Sequence, residues 1–226
     1  MTMRDYYARG LAGGRLRLCY ELAPPRVRRY LEAEIEFVLG HVSPGNRILE
    51  LGCGYGRVLS RLVERAGTAV GIDTSLESLR MARETLSDGS GVHLARMSAG
   101  RLGLRDRLFD LVVCVQNGIS VFGLDRRELV LEAARVTRVG GTLLISSYST
   151  RFWEDRLRWF EIQAEHDLIG EIDYDATGDG VIVCKDGFRA TGLGVDEFAR
   201  LTAGLGASPS FTEVDRSSLF CELRIE

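Results

Sequence analysis

Ile48-Leu49-Glu50-Leu51-Gly52-Cys53-Gly54-Tyr55-Gly56-Arg57-Val58-Leu59 decides the fold. An apolar strand runs into a turn with glycine at every second position, and the turn runs into a helix that opens at Val58. Glycines let the backbone turn sharply and approach a ligand with no Cβ in the way. The N–H groups freed at the helix start can then meet a polar or anionic group. A purely structural turn is the plainer reading, and the strand–turn–helix context argues against it.

On either side the pattern alternates. Before the turn, Pro24-Pro25 stops one element and opens another. Arg26 to Val42 then reads as an amphipathic helix, with Val27, Tyr30, Leu31, Ile35, Val38 and Leu39 at helical spacing. Ser43-Pro44-Gly45-Asn46 releases the chain into the first strand. After the turn, helices at 58–66, 76–86 and 126–136 alternate with strands at 69–73, 92–95, 111–115 and 142–147, with Gly140-Gly141 read as the turn before the last of these. Such alternation predicts right-handed crossovers and a mostly parallel, doubly wound sheet. The last third differs. A charged helix at 151–169 precedes short β-like pieces at 171–174, 181–184 and 188–191. A helix at 195–205 and paired strands at 210–214 and 219–225 finish the chain. The organisation expected is an N-terminal helical lid at 1–42 and a ligand-binding domain at 43–226, with a lid or substrate insertion at about 150–192.

The 226 residues suit one ordinary domain with a small addition. Hydrophobic residues at 45% and charged residues at 27% are the balance of a globular enzyme. A net charge of −3 gives no general attraction to a phosphate backbone, so nucleic acid is not the expected partner. Lys185 is the single lysine, which reads as coding bias. No apolar run suits a signal peptide or a membrane span, and no membrane partner is expected. Cys19, Cys53, Cys114, Cys184 and Cys221 are scattered, so neither a disulfide framework nor a metal site follows. A reducing cytoplasm is the simplest setting.

Charge narrows the ligand. A nicotinamide or flavin dinucleotide fingerprint puts its third glycine one place later, where this chain has Arg57. Glu50, two residues before the first glycine, gains nothing beside a pyrophosphate. It favours a cation, and S-adenosylmethionine carries both a sulfonium and an ammonium. Asp73, in Gly71-Ile72-Asp73-Thr74-Ser75 about twenty residues beyond the turn, is spaced to accept bonds from both hydroxyls of a ribose. As a lone residue it also fits a helix cap, as do Thr74 and Ser75.

These residues resemble the class I S-adenosylmethionine-dependent methyltransferases. The nearest look is to the small-molecule group that includes the quinone-biosynthesis C-methyltransferases. The likeness covers about 48–148 well and the rest in outline. It implies an α/β, Rossmann-like, doubly wound seven-stranded sheet, mostly parallel, with an antiparallel C-terminal strand. It also implies S-adenosylmethionine as methyl donor, S-adenosylhomocysteine as product and a small-molecule acceptor. Gly52, Gly54 and Gly56, with Cys53 between them, would meet the donor's methionine part. Asp73, with Thr74 beside it, would hold the ribose, and Glu50 would order the turn and supply charge. The family usually reads Gly-Asp-Ala after the third strand, whereas this chain has Met97-Ser98-Ala99. Ser98 then takes the place of the aspartate that accepts from the adenine amino group, and the Ala99 N–H serves a ring nitrogen. The carbonyl near Gln116 would face the donor's amino acid end. Asn117 is either a substrate contact or part of an ordinary Asn-Gly turn.

No catalytic acid or base can be named. Alignment does much of the work in an in-line displacement, and an acceptor already ionised needs no base. His41 and His93 read as structural, whereas His166 lies in the insertion within possible reach of the pocket. Tyr6, Tyr7, Tyr20, Tyr148 and Trp153 are candidates for an apolar lid over the acceptor, or for simple packing of a short appended region. Residues 181–191 could form a hairpin for pairing between copies, so monomer and homodimer both stand. Three other functions stay open. A non-catalytic S-adenosylmethionine-binding or regulatory protein would keep the pocket alone. A methyltransferase acting on protein or RNA should show a basic surface or an added module. A metal-dependent O-methyltransferase needs more acids than Asp110 and Asn117 supply.

Overall fold

Ile48, Leu49 and Leu51 are fully buried because their strand, β1 (Arg47–Leu51), lies at the centre of the sheet. The computed structural model describes residues 10–86, 91–205 and 208–226. Its elements in chain order are α1 (Gly13–Glu21), α2 (Pro25–Leu39), β1, α3 (Arg57–Val63), β2 (Thr68–Asp73), α4 (Leu76–Thr85), β3 (Val92–Arg96), β4 (Phe109–Cys114) and α5 (Gly118–Val121). Then come α6 (Arg126–Val136), β5 (Thr137–Tyr148), α7 (Trp153–Glu165), β6 (Val181–Val183), β7 (Arg189–Thr191), α8 (Val195–Thr202), β8 (Ser210–Val214) and β9 (Ser218–Arg224).

Seven strands pair in the order β3-β2-β1-β4-β5-β9-β8. All neighbouring pairs from β3 to β5 are parallel, while β9 runs antiparallel to both β5 and β8. The β8–β9 hairpin turns through Asp215 and Arg216, both at positive φ, as a tight connection requires. The α/β Rossmann-like sheet expected from the sequence is therefore present, with its antiparallel C-terminal strand.

Alternation along each strand splits the core in two. Ile48, Leu111, Val113, Leu144 and Phe220 face Ile35 and Val38 of α2 and Val58 and Leu62 of α3. Leu49, Leu51, Val112, Leu143 and Ile145 face Leu129, Val130 and Ala133 of α6 and Phe198 of α8. A separate apolar cluster joins Cys19 of α1 and Val27, Tyr30 and Leu31 of α2 to Phe152, Trp159, Phe160, Ile182 and Phe188. This second cluster is the one that bears on function, because it roofs the C-terminal ends of β1, β4 and β5.

Two sequence expectations change. Gly140-Gly141 is no turn before a strand, since β5 already begins at Thr137. Phe109 pairs with Thr137 and Leu111 with Thr142, so β5 absorbs extra residues there while Gly140 N–H bonds Ile225 O at 2.7 Å. The helix read at 151–169 is a 3₁₀ turn (Thr150–Phe152) followed by α7, which stops at Glu165. Residues 181–191 do form a hairpin, but Ile182, Cys184, Phe188 and Ala190 spend their apolar face inside the second cluster of the same chain. Asp110 is structural: it accepts the Arg47 N–H at 2.7 Å and pairs with Arg138 at 2.5 Å.

Candidate active site

The crevice opens where the sheet order reverses, between the C-terminal ends of β1 and β4, as it does in open α/β sheets generally. There the glycine turn is folded back onto β2. Gly52 N–H and Cys53 N–H both donate to Ile72 O, at 2.8 and 2.9 Å. Gly54 N–H donates to Asp73 Oδ2 at 3.0 Å. Gly52 and Gly54 have φ of +75° and +55°. A Cβ on Gly52 would come within 2.4 Å of the Phe122 ring, so only glycine fits.

Asp73 also accepts the Ser75 N–H, on Oδ1 at 2.7 Å. Burial raises its pKa, and backbone N–H groups of Ser75, Gly54 and Thr74 act the other way. Each oxygen keeps a further acceptor site for a ligand hydroxyl.

Glu50 is 3% exposed, lines the cavity, and has no hydrogen-bond partner for Oε2. Burial pushes its pKa up to about 8, against the pull of the Arg57 charge, and the Asp73 charge adds to the rise. A buried carboxylate with one oxygen left unpaired is costly, and a cation brought beside it relieves that cost. The donor set therefore fits a ligand with a cationic centre and a hydroxylated sugar.

The cavity, about 1300 Å³ counted out to its mouth, joins two ends. Glu50, Gly52, Gly54, Asp73, Thr74, Ser98 and Ala99 line one end, together with Met97 and Phe122. The other end is apolar and aromatic: Leu16 and Tyr20 of α1, Tyr30 of α2, Tyr148 of β5, and Trp159, Phe160 and Gln163 of α7. Gln116 and Asn117 lie between them.

Those two residues hold an unusual backbone, with φ of +56° and +60° and no glycine at either position. Several groups pin it. Gln116 N–H donates to Glu34 Oε2 at 2.8 Å and to Ser146 Oγ at 2.9 Å. Gln116 Oε1 accepts the Tyr20 hydroxyl at 3.0 Å. The Asn117 amide donates to Thr191 O and accepts from Ser147 Oγ, both at 2.8 Å. Tyr20 is held in turn by the Arg57 guanidinium, 4.8 Å from its ring centre, and by Trp159, whose Nε1–H bonds Cys19 O at 2.9 Å.

The fold thus brings together Glu50, Gly52, Gly54, Asp73, Thr74, Ser98, Ala99, Gln116, Asn117, Tyr20 and Tyr148. Four other residues named from the sequence do not line this cavity. Cys53 is buried against Leu59 and Ala69, and Gly56 caps α3 behind the turn. Trp153 faces a separate hollow beside Arg156. His166 ends α7 on the surface, its Nδ1 bonded to Ile162 O at 2.9 Å. Tyr6 and Tyr7 lie outside the described residues. Glu34, Arg57 and Gln163 escaped the sequence reading. Glu34 is buried among the apolar stripe Tyr30, Leu31, Ile35 and Val38, yet a lone glutamate at that place reads as a surface residue.

Among the described residues, no three His, Cys, Asp or Glu side chains gather as a metal site, and no helix is long and apolar enough to cross a membrane. A family model described as a methyltransferase domain matches residues 48–141. The chain is similar to the methyltransferase GfsG of Streptomyces halstedii, 34% identical over 116 residues, which are 49% of this chain and 40% of that protein. It is also similar to a demethylmenaquinone methyltransferase of Tropheryma whipplei, 33% identical over 112 residues, which are 48% of this chain and 44% of that one. The chain spans about half the length, or less, of these curated relatives. Among solved structures it resembles the N-methyltransferase NodS from Bradyrhizobium japonicum WM9 in complex with S-adenosylhomocysteine. That likeness covers 100% of this chain and 99% of the other at a TM-score of 0.62 and 18% identity, and is one of fold. Strand order and the domain match agree: residues 48–141 are similar to a methyltransferase domain, and they lie in an α/β sheet whose fold resembles that of the solved methyltransferase.

Proposed function

We propose that the chain transfers a methyl group from S-adenosylmethionine to a small-molecule acceptor and releases S-adenosylhomocysteine. The observation that carries this reading is Glu50, a buried residue of the cavity lining beside the glycine turn, whose carboxyl keeps one oxygen, Oε2, without a partner. When bound, S-adenosylmethionine supplies a methyl group activated on a sulfonium.

The chain's own residues do the rest. Glu50 and Asp73 hold the cationic and ribose parts. Ser98 and Ala99 lie at the adenine end. Tyr20, Trp159 and Phe160 exclude water over the acceptor, so residues 10–42 and about 150–192 act as a lid. A net charge of −3 and an aromatic acceptor end favour a small molecule over nucleic acid. All five cysteines are free and buried, which suits a reducing cytoplasm. The hairpin face spent within the chain leaves the monomer as the simpler state.

Calorimetric titration with S-adenosylhomocysteine, with NAD⁺ as control, tests the reading. Saturable binding of the first alone is expected. Binding of neither, or of NAD⁺, overturns it.

A further inference from the structure

The donor end of the cavity accounts for Glu50 and Asp73, but the rest of the lining keeps two glutamine amides that nothing in the described chain completes. Gln163 is 4% exposed, lines the cavity, and its side-chain amide is bonded to no described residue. It stands four residues after Trp159 on α7, so the two share one helix face. Gln116 lines the cavity two residues beyond the end of β4. The Tyr20 hydroxyl donates to its Oε1 at 3.0 Å, and its Nε2 is buried without a partner. Tyr20 also packs against Trp159, with ring centres 6.1 Å apart, so one aromatic contact joins the two segments that carry the glutamines.

The backbone at Gln116 is strained, with φ of +56°, a left-handed conformation that a glutamine seldom adopts. Its N–H is shared between Glu34 Oε2 at 2.8 Å and Ser146 Oγ at 2.9 Å. The side chain is thus held at its backbone and at its amide oxygen, which fixes the direction of Nε2 before any ligand arrives. Strain maintained in this way is a mark of ligand clamps. The surroundings are otherwise apolar. Tyr20, Tyr148, Trp159 and Phe160 form the walls, and among the described residues the charged side chains lining the cavity are Glu50 and Asp73, both at the donor end. A buried amide left unpaired is costly, and a few polar groups in an apolar pocket are what orient a ligand.

We propose that Gln116 and Gln163 are the specificity-determining pair of the acceptor site, and that they select a flat, uncharged molecule bearing oxygen substituents. This rests on the reading of the cavity as a methyltransferase site. Gln116, at the junction of the two ends, donates from Nε2 to one oxygen of the acceptor and so sets its position relative to the methyl group. Gln163, in the roof, bonds a second oxygen. The aromatic walls cover the ring, and with no charged side chain at that end an ionic acceptor would lose its hydration without gaining a partner.

The test is calorimetry on the full chain saturated with S-adenosylhomocysteine and titrated with 6-hydroxy-1-indanone, 1-indanone and indane. These share a flat body and carry two, one and no oxygens. A merely apolar chamber binds indane best, because a carbonyl entering it gives up its hydrogen bonds to solvent. The reverse order is expected, with about a tenfold gain in affinity for each oxygen. Gln116→Met and Gln163→Met should each remove the advantage of one oxygen while still binding S-adenosylhomocysteine. Gln163→Met decides by itself where Gln116→Met does not fold, since the Gln163 amide makes no bond to a described residue. Indane binding as tightly as the ketones in the wild type, or an order that survives the substitutions, overturns the pair and leaves the donor site standing. Binding of none of the three by the product-loaded chain overturns the acceptor class, as does tighter binding of indane-1-carboxylate. Failure of the wild type to bind S-adenosylhomocysteine removes the function proposed above, and the pair with it.

Discussion

Asp73 Oδ2 accepts the Gly54 N–H at 3.0 Å, so the carboxylate that closes β2 also holds the middle of the glycine turn. The same side chain takes the Ser75 N–H that opens α4. It thus joins three segments before any ligand arrives. Asp73→Ala should weaken S-adenosylhomocysteine binding by about 1–3 kcal/mol and also lower the melting temperature, because Gly54 and Ser75 each lose a partner. Calorimetry and thermal melts on the same samples check this. Unchanged affinity in a folded variant would remove Asp73 from the binding site.

Glu50 predicts a pH dependence of binding. Its pKa, pushed up to about 8 by burial, means that much of it is protonated at pH 7. A cationic ligand favours the ionised form, so binding below about pH 8 expels a proton. Affinity for S-adenosylmethionine should rise with pH and level off near 8. Calorimetry at pH 7 in two buffers of different ionisation enthalpy measures the released proton directly. Glu50→Gln should abolish most of that release and cost about 1–3 kcal/mol of affinity. An identical proton count in the variant would show that Glu50 does not face the bound cation.

The glycine turn and Asp73 were legible in the sequence because their spacing follows from local backbone geometry and strand length. The central strands were legible too, since β1, β2, β4 and β5 each carry an apolar run, whereas the piece read at 171–174 is only an isolated bridge between Ile172 and Cys184. Glu34 was not, although it interrupts the stripe Tyr30, Leu31, Ile35, Val38. A glutamate there reads as a surface residue until tertiary packing closes over it. Trp153 and His166 failed for the converse reason. Both belong to α7, and helical rotation turns Trp159, Phe160 and Gln163 toward the cavity while Trp153 faces the neighbouring hollow. The sequence shows such residues to be near one another, but which face meets the cavity depends on the docking of α7 against α1 and α2.

The two raised glutamates make a prediction about stability. Their folded pKa values, about 7 for Glu34 and about 8 for Glu50, exceed the ordinary 4.5. The folded state therefore holds protons that the unfolded chain releases. Their contribution is fully present below about pH 4.5 and is lost as pH rises through 7 to 8. The ligand-free protein should lose stability across that window, on the order of a few kcal/mol per group. Asp110 acts in the opposite sense and at lower pH, because the Arg47 N–H and Arg138 outweigh its burial. Urea melts at a series of pH values should show the decline, flattened in Glu34→Gln and in Glu50→Gln. A wild-type curve that rises through the window would contradict the assignment.

Asn117 separates a structural role from a substrate contact. Its amide ties the β4–α5 turn to Thr191 O of β7 and to Ser147 Oγ of β5, and that hydroxyl accepts the Leu193 N–H at 2.7 Å. One buried side chain therefore couples the sheet end to the roof that carries Ala190. Truncation leaves the part-buried Thr191 carbonyl and the buried Ser147 hydroxyl each short of a partner. Asn117→Ala should destabilise the protein by about 1–3 kcal/mol while changing S-adenosylhomocysteine affinity less than tenfold. Asn117→Gly tests the backbone separately, since it relieves the positive φ and loses the same bonds, and it should fall between wild type and Asn117→Ala. Denaturant melts of the three proteins decide the matter. If Asn117→Ala melts with wild type, the amide's bonds to β5 and β7 carry no net stability, and the contact with substrate becomes the stronger reason for an asparagine there.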